Sequence, residues 1–357
     1  MPDTVNNGAA AGYTHLHYPF AEPPAHGEVT QVAEGILWIR LPLPMALDHV
    51  NCYALRSGDG WDIVDTGFDT KKTRAIWEKL LAGPLGGAPI SRVIATHYHP
   101  DHIGLAGWFM AQHGAELWTT RTSYLVTRMM VLDVQEQPMP ETLAFWQGAG
   151  MDSELFEKRR AERPFNFADC VSPLPLGYRR IAQGDRIKMG GREWDVRIGN
   201  GHAPEHATFW EVGGDLVLGG DQLLPSISPN LGVYATEPLA DPVAEWLESC
   251  EYFQQFARAE QLVLPGHKLP FYGLPLRLDQ LIANHHGALA RLLDRLEKPH
   301  TATQCFDVLF KRKIGEGEYG LALVEAMAHM NHLYHLGQVT RTRDDKGRFL
   351  WQKVSHD

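Results

Sequence analysis

The chain has 357 residues, more than one ordinary domain needs, so a large domain with a smaller appended module is the natural expectation. Hydrophobic residues at 44% and charged residues at 21% describe a globular protein, and no apolar run reaches the length that would cross a bilayer, so no membrane partner is expected. A formal charge of -10 argues against wholesale attraction to nucleic acid. The four cysteines, Cys52, Cys170, Cys250 and Cys305, never form Cys-x-x-Cys, which excludes a zinc ribbon or a disulfide framework and fits a reducing cytoplasm.

In chain order, residues 1–28 are polar, rich in Ala, Gly and Pro, and lack the basic and apolar regions of a secretory signal, so they read as an arm. Its His15 and His17 have no further ligand nearby and read as surface histidines. Three short strands follow at 36–39, 51–55 and 61–65, with Ser57-Gly58-Asp59-Gly60 as a hairpin turn. Helical spacing over 70–81 precedes a strand at 92–96. Residues 123–174 carry helical spacing and large apolar side chains, among them Met129, Met130, Phe145, Trp146 and Phe156, and read as an inserted cap near the site. Strands at 194–198, 216–218 and 262–264 come next. Past Pro275 the pattern turns helical at 276–296, 303–311 and 321–336, and closes with a β-hairpin over 339–352. This tail, 276–357, is mildly basic, in contrast to the acidic catalytic part at 29–275.

Chemistry concentrates where the strands end. The strand at 92–96 delivers His97-Tyr98-His99-Pro100-Asp101-His102, four ligand-type side chains within six residues. They cannot all reach one small ion from a regular element, but a loop can divide them between two. The later strands lead to Gly201-His202, Gly219-Gly220-Asp221 and Gly266-His267, each ligand candidate beside a glycine that allows a tight turn. His206 reads as a structural residue at a helix start, Tyr98 as pointing away from its ligand neighbours, and the pair His285-His286 as helix surface.

These motifs, with Asp65-Thr66-Gly67 and Val50-Asn51-Cys52-Tyr53 upstream, resemble the metallo-β-lactamase superfamily over residues 35–267, closer in wording to the glyoxalase II and lactonase side. The resemblance implies an α/β fold, a four-layered αββα sandwich with the metals at one edge. The three helices and hairpin of the tail resemble a winged helix. It further implies that His97, His99 and His202 hold a first metal, that Asp101, His102 and His267 hold a second, and that Asp221 bridges both. Asp65 would support the ligands from behind.

Two divalent ions, zinc first with iron or manganese as alternatives, would make a bridging hydroxide available near neutral pH, with Asp101 as the catalytic proton shuttle. The expected function is hydrolysis of a thioester, ester or lactone in a small molecule with an apolar group. Competing readings are a nuclease acting on single-stranded RNA, which the winged-helix-like tail suggests and the acidic charge opposes, and a mononuclear iron persulfide oxygenase. Leu-rich faces in the tail (Leu289, Leu292, Leu293 and Leu296) suit packing on the catalytic part or on a second copy, which leaves a homodimer open.

Overall fold

The structure is a computed structural model and describes residues 14–355; the arm's first thirteen residues lie outside them. A first sheet places seven strands in chain order: β1 (Thr30–Ala33), β2 (Ile36–Pro42), β3 (His49–Ser57), β4 (Gly60–Val64), β5 (Ile90–Ile94), β6 (Glu116–Thr119) and β7 (Arg179–Arg180). The β3–β4 hairpin closes at the predicted turn, with Ser57 facing Gly60. From β4 to β7 the pairing is parallel. A second sheet holds β8 (Arg186–Met189), β9 (Arg192–Gly199), β10 (His206–Glu211), β11 (Leu216–Gly220) and β12 (Leu262–Pro265), in the order β12-β11-β10-β9-β8.

Side-chain alternation along these strands builds three apolar layers. Trp38, Tyr53, Ile94, Trp194, Phe209 and Leu264 meet between the sheets. The opposite face of the first sheet packs on α1 (Lys71–Ala82), α2 (Pro100–Ile103) and α3 (Ala106–His113) through Ile39, Val93, Trp77 and Phe109. Helix α1 starts where the Thr70 hydroxyl accepts the Thr73 N–H at 3.1 Å, and it buries Thr73, Trp77 and Leu80 at helical spacing. Each of these large side chains contributes about 1.5–3 kcal/mol by leaving water.

The insert comprises α4 (Arg121–Leu132), α5 (Pro140–Ala149), α6 (Ser153–Ala161) and a 3-10 turn at Phe167–Asp169. Outside the second sheet lie α7 (Pro242–Gln254) and the start of α8 (Leu274–Arg295); the tail continues with α9 (Phe306–Phe310), α10 (Tyr319–His335) and a hairpin of β13 (Val339–Arg343) and β14 (Phe349–Lys353). The third layer joins Trp210, Val217 and Val263 of the sheet to Trp246, Leu278, Leu292 and Met327 of these helices. Phe145 is buried in that same layer, with Trp146 packed against it. The predicted cap is therefore divided. Its α5 face secures the tail, and Gln147 Nε2 donates to the Lys346 carbonyl of the hairpin at 2.8 Å.

Two histidine readings need correction. His206 opens strand β10 rather than a helix, and His285 is buried on α8 against Trp246, its ring stacked on His329 of α10, while His286 is exposed. The tail helix has a second helix to bury against on the side the sequence pattern assigned to solvent.

Candidate metal centre

All seven candidate ligands gather at one edge of the sandwich, at the carboxyl ends of β5, β11 and β12 and on the loop between β9 and β10. After β5 the chain leaves the sheet at Ala95 and turns into α2, which Pro100 opens with its preset φ and His99 precedes in extended backbone. That turn puts His97 and His99 on the loop and Asp101 and His102 in the helix that follows it at once. Gly266 lets the β12 loop approach: a Cβ there would run into the Asp221 carboxylate and lie 2.9 Å from the His102 ring. Asn51 and Tyr53 of β3 hold the same loop from the other sheet, since both side chains donate to the Pro265 carbonyl at 2.9 Å.

The ligand atoms fall into overlapping groups: His97, His99 and His202; His97, His102 and Asp221; Asp101, His102 and His267. In the first, His97 Nε2 lies 2.9 Å from His99 Nδ1, which lies 3.0 Å from His202 Nε2. In the second half, His102 Nε2 lies 3.3 Å from Asp221 and 3.5 Å from Asp101, and His267 Nε2 lies 3.3 Å and 3.4 Å from the same two carboxylates. His202 Nε2 lies 3.4 Å from Asp221, so Asp221 touches both halves.

The outward ring nitrogens decide what the inward ones offer. Thr96 Oγ1–H donates to Asp65 Oδ2 at 2.9 Å, so its oxygen accepts His97 Nδ1–H at 3.0 Å. His102 Nδ1–H donates to the same Asp65 oxygen at 2.8 Å. His202 Nδ1–H donates to the Asn230 carbonyl at 2.9 Å, and His267 Nδ1–H to the His49 carbonyl at 2.6 Å. Four imidazoles are thus oriented so that Nε2 turns inward, and each offers a lone pair there when it is neutral. Two of the inward atoms, His102 Nε2 and Asp221 Oδ1, are buried without a hydrogen-bond partner. Buried lone pairs facing one another are costly unless a cation lies between them, so the donor set fits divalent metal.

Electrostatics divides the two halves. Burial pushes His97 well below the usual histidine range and His99 to about 3, which leaves neutral imidazoles. Burial also opposes charge on His102 and His267, but the Asp221 and Asp101 carboxylates override it, holding His102 well above its ordinary value and His267 at about 9. Asp101 is itself lowered to about 2, burial being outweighed by His102 and His267. In the metal-free protein protons hold this half together, and a metal would displace them.

Three features escape the sequence motifs. His206 accepts the Asp221 N–H at 3.1 Å and stacks on His97 with ring centres 4.5 Å apart, so it fixes the carboxylate's backbone. Asn230, whose carbonyl orients His202, is held by α10, because its Nδ2 donates to Glu325 at 2.8 Å and to the Leu321 carbonyl at 3.1 Å. Burial raises Glu325 to about 7. Tyr98 stacks on Phe167 of the insert at 6.2 Å, and Phe167 meets the exposed Phe165 edge to face at 6.0 Å, an aromatic row beside His99. Of these, the aromatic content of the insert is the signal the sequence carries; the single Asn230 in the stretch after Asp221 gives none.

Comparison with known proteins agrees with this geometry. The profile of the metallo-beta-lactamase superfamily matches residues 45–303, and that of the metallo-beta-lactamase-like C-terminal domain matches residues 289–354. A Bacillus subtilis protein named as a probable metallo-hydrolase is 28% identical over 318 residues, which cover 84% of this chain and 92% of that one. The solved structure of a beta-lactamase domain protein from Burkholderia ambifaria is 35% identical, covers 95% of this chain and 98% of its own, and superposes with a TM-score of 0.87. A metallo-beta-lactamase family protein from Thermus thermophilus is 26% identical over 91% of this chain and all of its own, with a TM-score of 0.75. No helix among the described residues is long and apolar enough to cross a membrane. The chain belongs to the metallo-β-lactamase superfamily and is a metal-dependent hydrolase.

Proposed function

We propose that the chain is a dinuclear hydrolase of thioesters, esters or lactones in small molecules that carry an apolar group. The observation that carries this is the convergence of two ligand sets whose imidazoles are turned inward by Asp65, Asn230 and His49. His97, His99 and His202 would hold one ion, and Asp101, His102 and His267 the other, with Asp221 between them; the neutral first set and carboxylate-bearing second set suit zinc, iron or manganese. When bound, such a pair supplies Lewis acidity toward a carbonyl and lowers the pKa of water.

The protein's own groups do the rest. Asp101 is ionised, partly exposed and placed within 3.4–3.5 Å of His267 and His102, so it is the carboxylate able to take a proton from the attacking water and pass it to the leaving group. Asp65 and the two backbone carbonyls keep the imidazoles from rotating. The aromatic row of Tyr98, Phe167 and Phe165 starts beside His99 and ends in the exposed Phe165, apolar surface that favours an acyl or ring group over a polar one. A small-molecule substrate also accords with the tail: Arg341 and Arg343 lie over Phe349, with Arg341 also over Tyr334 and Trp351, and so pack on aromatic rings of their own hairpin and α10.

The test is elemental analysis of full-length protein reconstituted with zinc or manganese, then turnover of a graded panel of thioesters, esters and lactones. Two ions per chain and a rate rising with acyl size are expected. Metal content near zero, or no turnover of any member by the loaded protein, would refute the reading.

A further inference from the structure

Beside the second half of the centre lies a cavity of about 320 Å³ lined by Tyr18, Arg40, Asp48, His49, Ser226 and Lys268, at the small end of the range for ligand pockets. It shares a wall with the ligands. His49 gives its carbonyl to His267 Nδ1, and Lys268 is the next residue after His267.

Lys268 is held there deliberately. Its φ of +69° lies in the left-handed region, which glycine adopts freely and lysine does not. Both backbone groups are pinned: its N–H donates to His49 Nε2 at 2.9 Å, and its carbonyl accepts from Asn51 Nδ2 at 2.8 Å. Arg40 pairs with Asn51 across β2 and β3, so the two side chains share a face of the sheet and Arg40 comes out beside the same loop.

The charges in the cavity do not cancel. Because Lys268 N–H donates to His49 Nε2, a neutral His49 carries its proton on Nδ1 and donates it to Asp48 at 2.7 Å. Nδ1 cannot then accept from Arg40, although the guanidinium lies 2.8 Å away, and Arg40 reaches Asp48 only at 3.4 Å. The Lys268 ammonium has no ion-pair partner among the described residues. Two cationic residues, Arg40 and Lys268, thus line a cavity with one largely exposed carboxylate, Asp48, on a chain whose overall charge is -10. Local positive charge against that background selects an anion.

We propose that this cavity is the subsite for an anionic end of the substrate, a carboxylate or phosphate bound by Arg40 and Lys268. It rests on the hydrolase reading and narrows it. The substrate would place its scissile bond at the histidine and aspartate cluster and its charged end in this cavity. Tyr18 and Ser226 would add hydroxyl donors, and Asp48 would weigh against ligands of higher charge.

Two measurements separate the outcomes. The first titrates succinate and inorganic phosphate into metal-free full-length protein, by calorimetry or NMR, for wild type, Arg40→Gln and Lys268→Gln; glutamine keeps a long side chain at both positions. Saturable binding that either substitution weakens tenfold or more supports the subsite, and the better of the two ions identifies carboxylate or phosphate. The second compares, with metal-loaded protein, two thioesters that differ only in a terminal carboxylate or its neutral amide. The charged one should have the higher kcat/KM in wild type, and both substitutions should lower its kcat/KM at least tenfold more than that of the amide, mainly through KM. Saturable binding through Lys268 without turnover of either thioester, or of any ester or lactone in the panel, would sink the proposed substrate class and leave the subsite standing. Absence of saturable anion binding in wild type, or equal losses on both thioesters, would overturn the subsite even in an active hydrolase.

Discussion

Replacing Asp65 by Asn tests the idea that the centre's affinity is set behind the ligands. The backbone should tolerate the change, because Asp65 has φ +60° and Asn is among the few residues at ease in that region. The hydrogen bonds will not. The Asp65 carboxylate accepts from Thr96 N–H at 2.8 Å through one oxygen, and from Thr96 Oγ1–H and His102 Nδ1–H at 2.9 and 2.8 Å through the other. With Asn, whichever way the amide turns, an NH2 faces at least one donor. If it faces Thr96 N–H, a buried backbone donor is orphaned. If it faces His102, the ring must move its proton to Nε2 and lose the lone pair it presents to the centre. A lost charge-assisted hydrogen bond costs about 1.5–3 kcal/mol, and loss of an orienting partner typically weakens metal binding about 10–100-fold. His97 keeps Thr96 as acceptor, so the loss should fall on the second ion. Competition between the protein and a chelator of known zinc affinity measures both steps. Two affinities within twofold of wild type, or equal losses at both steps, would refute the reasoning.

Other substitutions separate ligation from chemistry. Asp101→Asn should retain the first ion and lose at least about 100-fold in turnover, the scale of general acid–base catalysis, whereas His97→Ala should fail to load metal by elemental analysis. Gly266→Ala drives a methyl group into the Asp221 carboxylate, so it should abolish the second ion's binding while circular dichroism stays native. Phe145→Ala should lower stability by about 3–5 kcal/mol in denaturant titration, with little change in preference among acyl groups, because Phe145 supports the tail rather than the site. His285 is held at about 3, first by burial and then by the charge of His329, and so is neutral when folded. Between pH 6.5 and about 3 the unfolded chain binds the extra proton, so stability is full above 6.5 and falls toward acid by about 1.4 kcal/mol per pH unit. His285→Leu should flatten the denaturant midpoint against pH by that slope; an unchanged slope would contradict the burial argument.

The parts of this fold legible in the sequence are those written in consecutive residues. The run from Thr96 to His102 brings four ligand-type side chains to one strand end, and Gly201, Gly220 and Gly266 mark the turns that bring in His202, Asp221 and His267. Short hydrophobic runs located most of the strands that lead to them. The apolar insert was harder, because hydrophobic content says that a helix is covered but not by what. Phe145 and Trp146 read as a cap over substrate, yet they lie under the tail, and the residues beside Tyr98 are Phe167 and Phe165. The burial of His285 is hidden from the sequence for the same reason, since its cover, His329, lies 44 positions along the chain.

The least legible elements are those on which the centre's geometry most depends. His202 and His267 are oriented by the carbonyls of Asn230 and His49, and a backbone carbonyl looks the same in every residue. No residue type need mark such a position, so only the course of the backbone reveals it. The Asn230 carbonyl is in turn placed by a side-chain bond to Glu325 across 95 residues, from a helix of the tail. The tail therefore acts on the metal centre through the loop that aims His202, a route that needs no tail side chain to touch substrate. Glu325→Ala should accordingly weaken zinc binding at the three-histidine half, and Glu325→Gln, which keeps an acceptor for Asn230, should restore it. Chelator competition on the two variants decides the matter: equal zinc affinity in Glu325→Ala and wild type would show that the tail only packs.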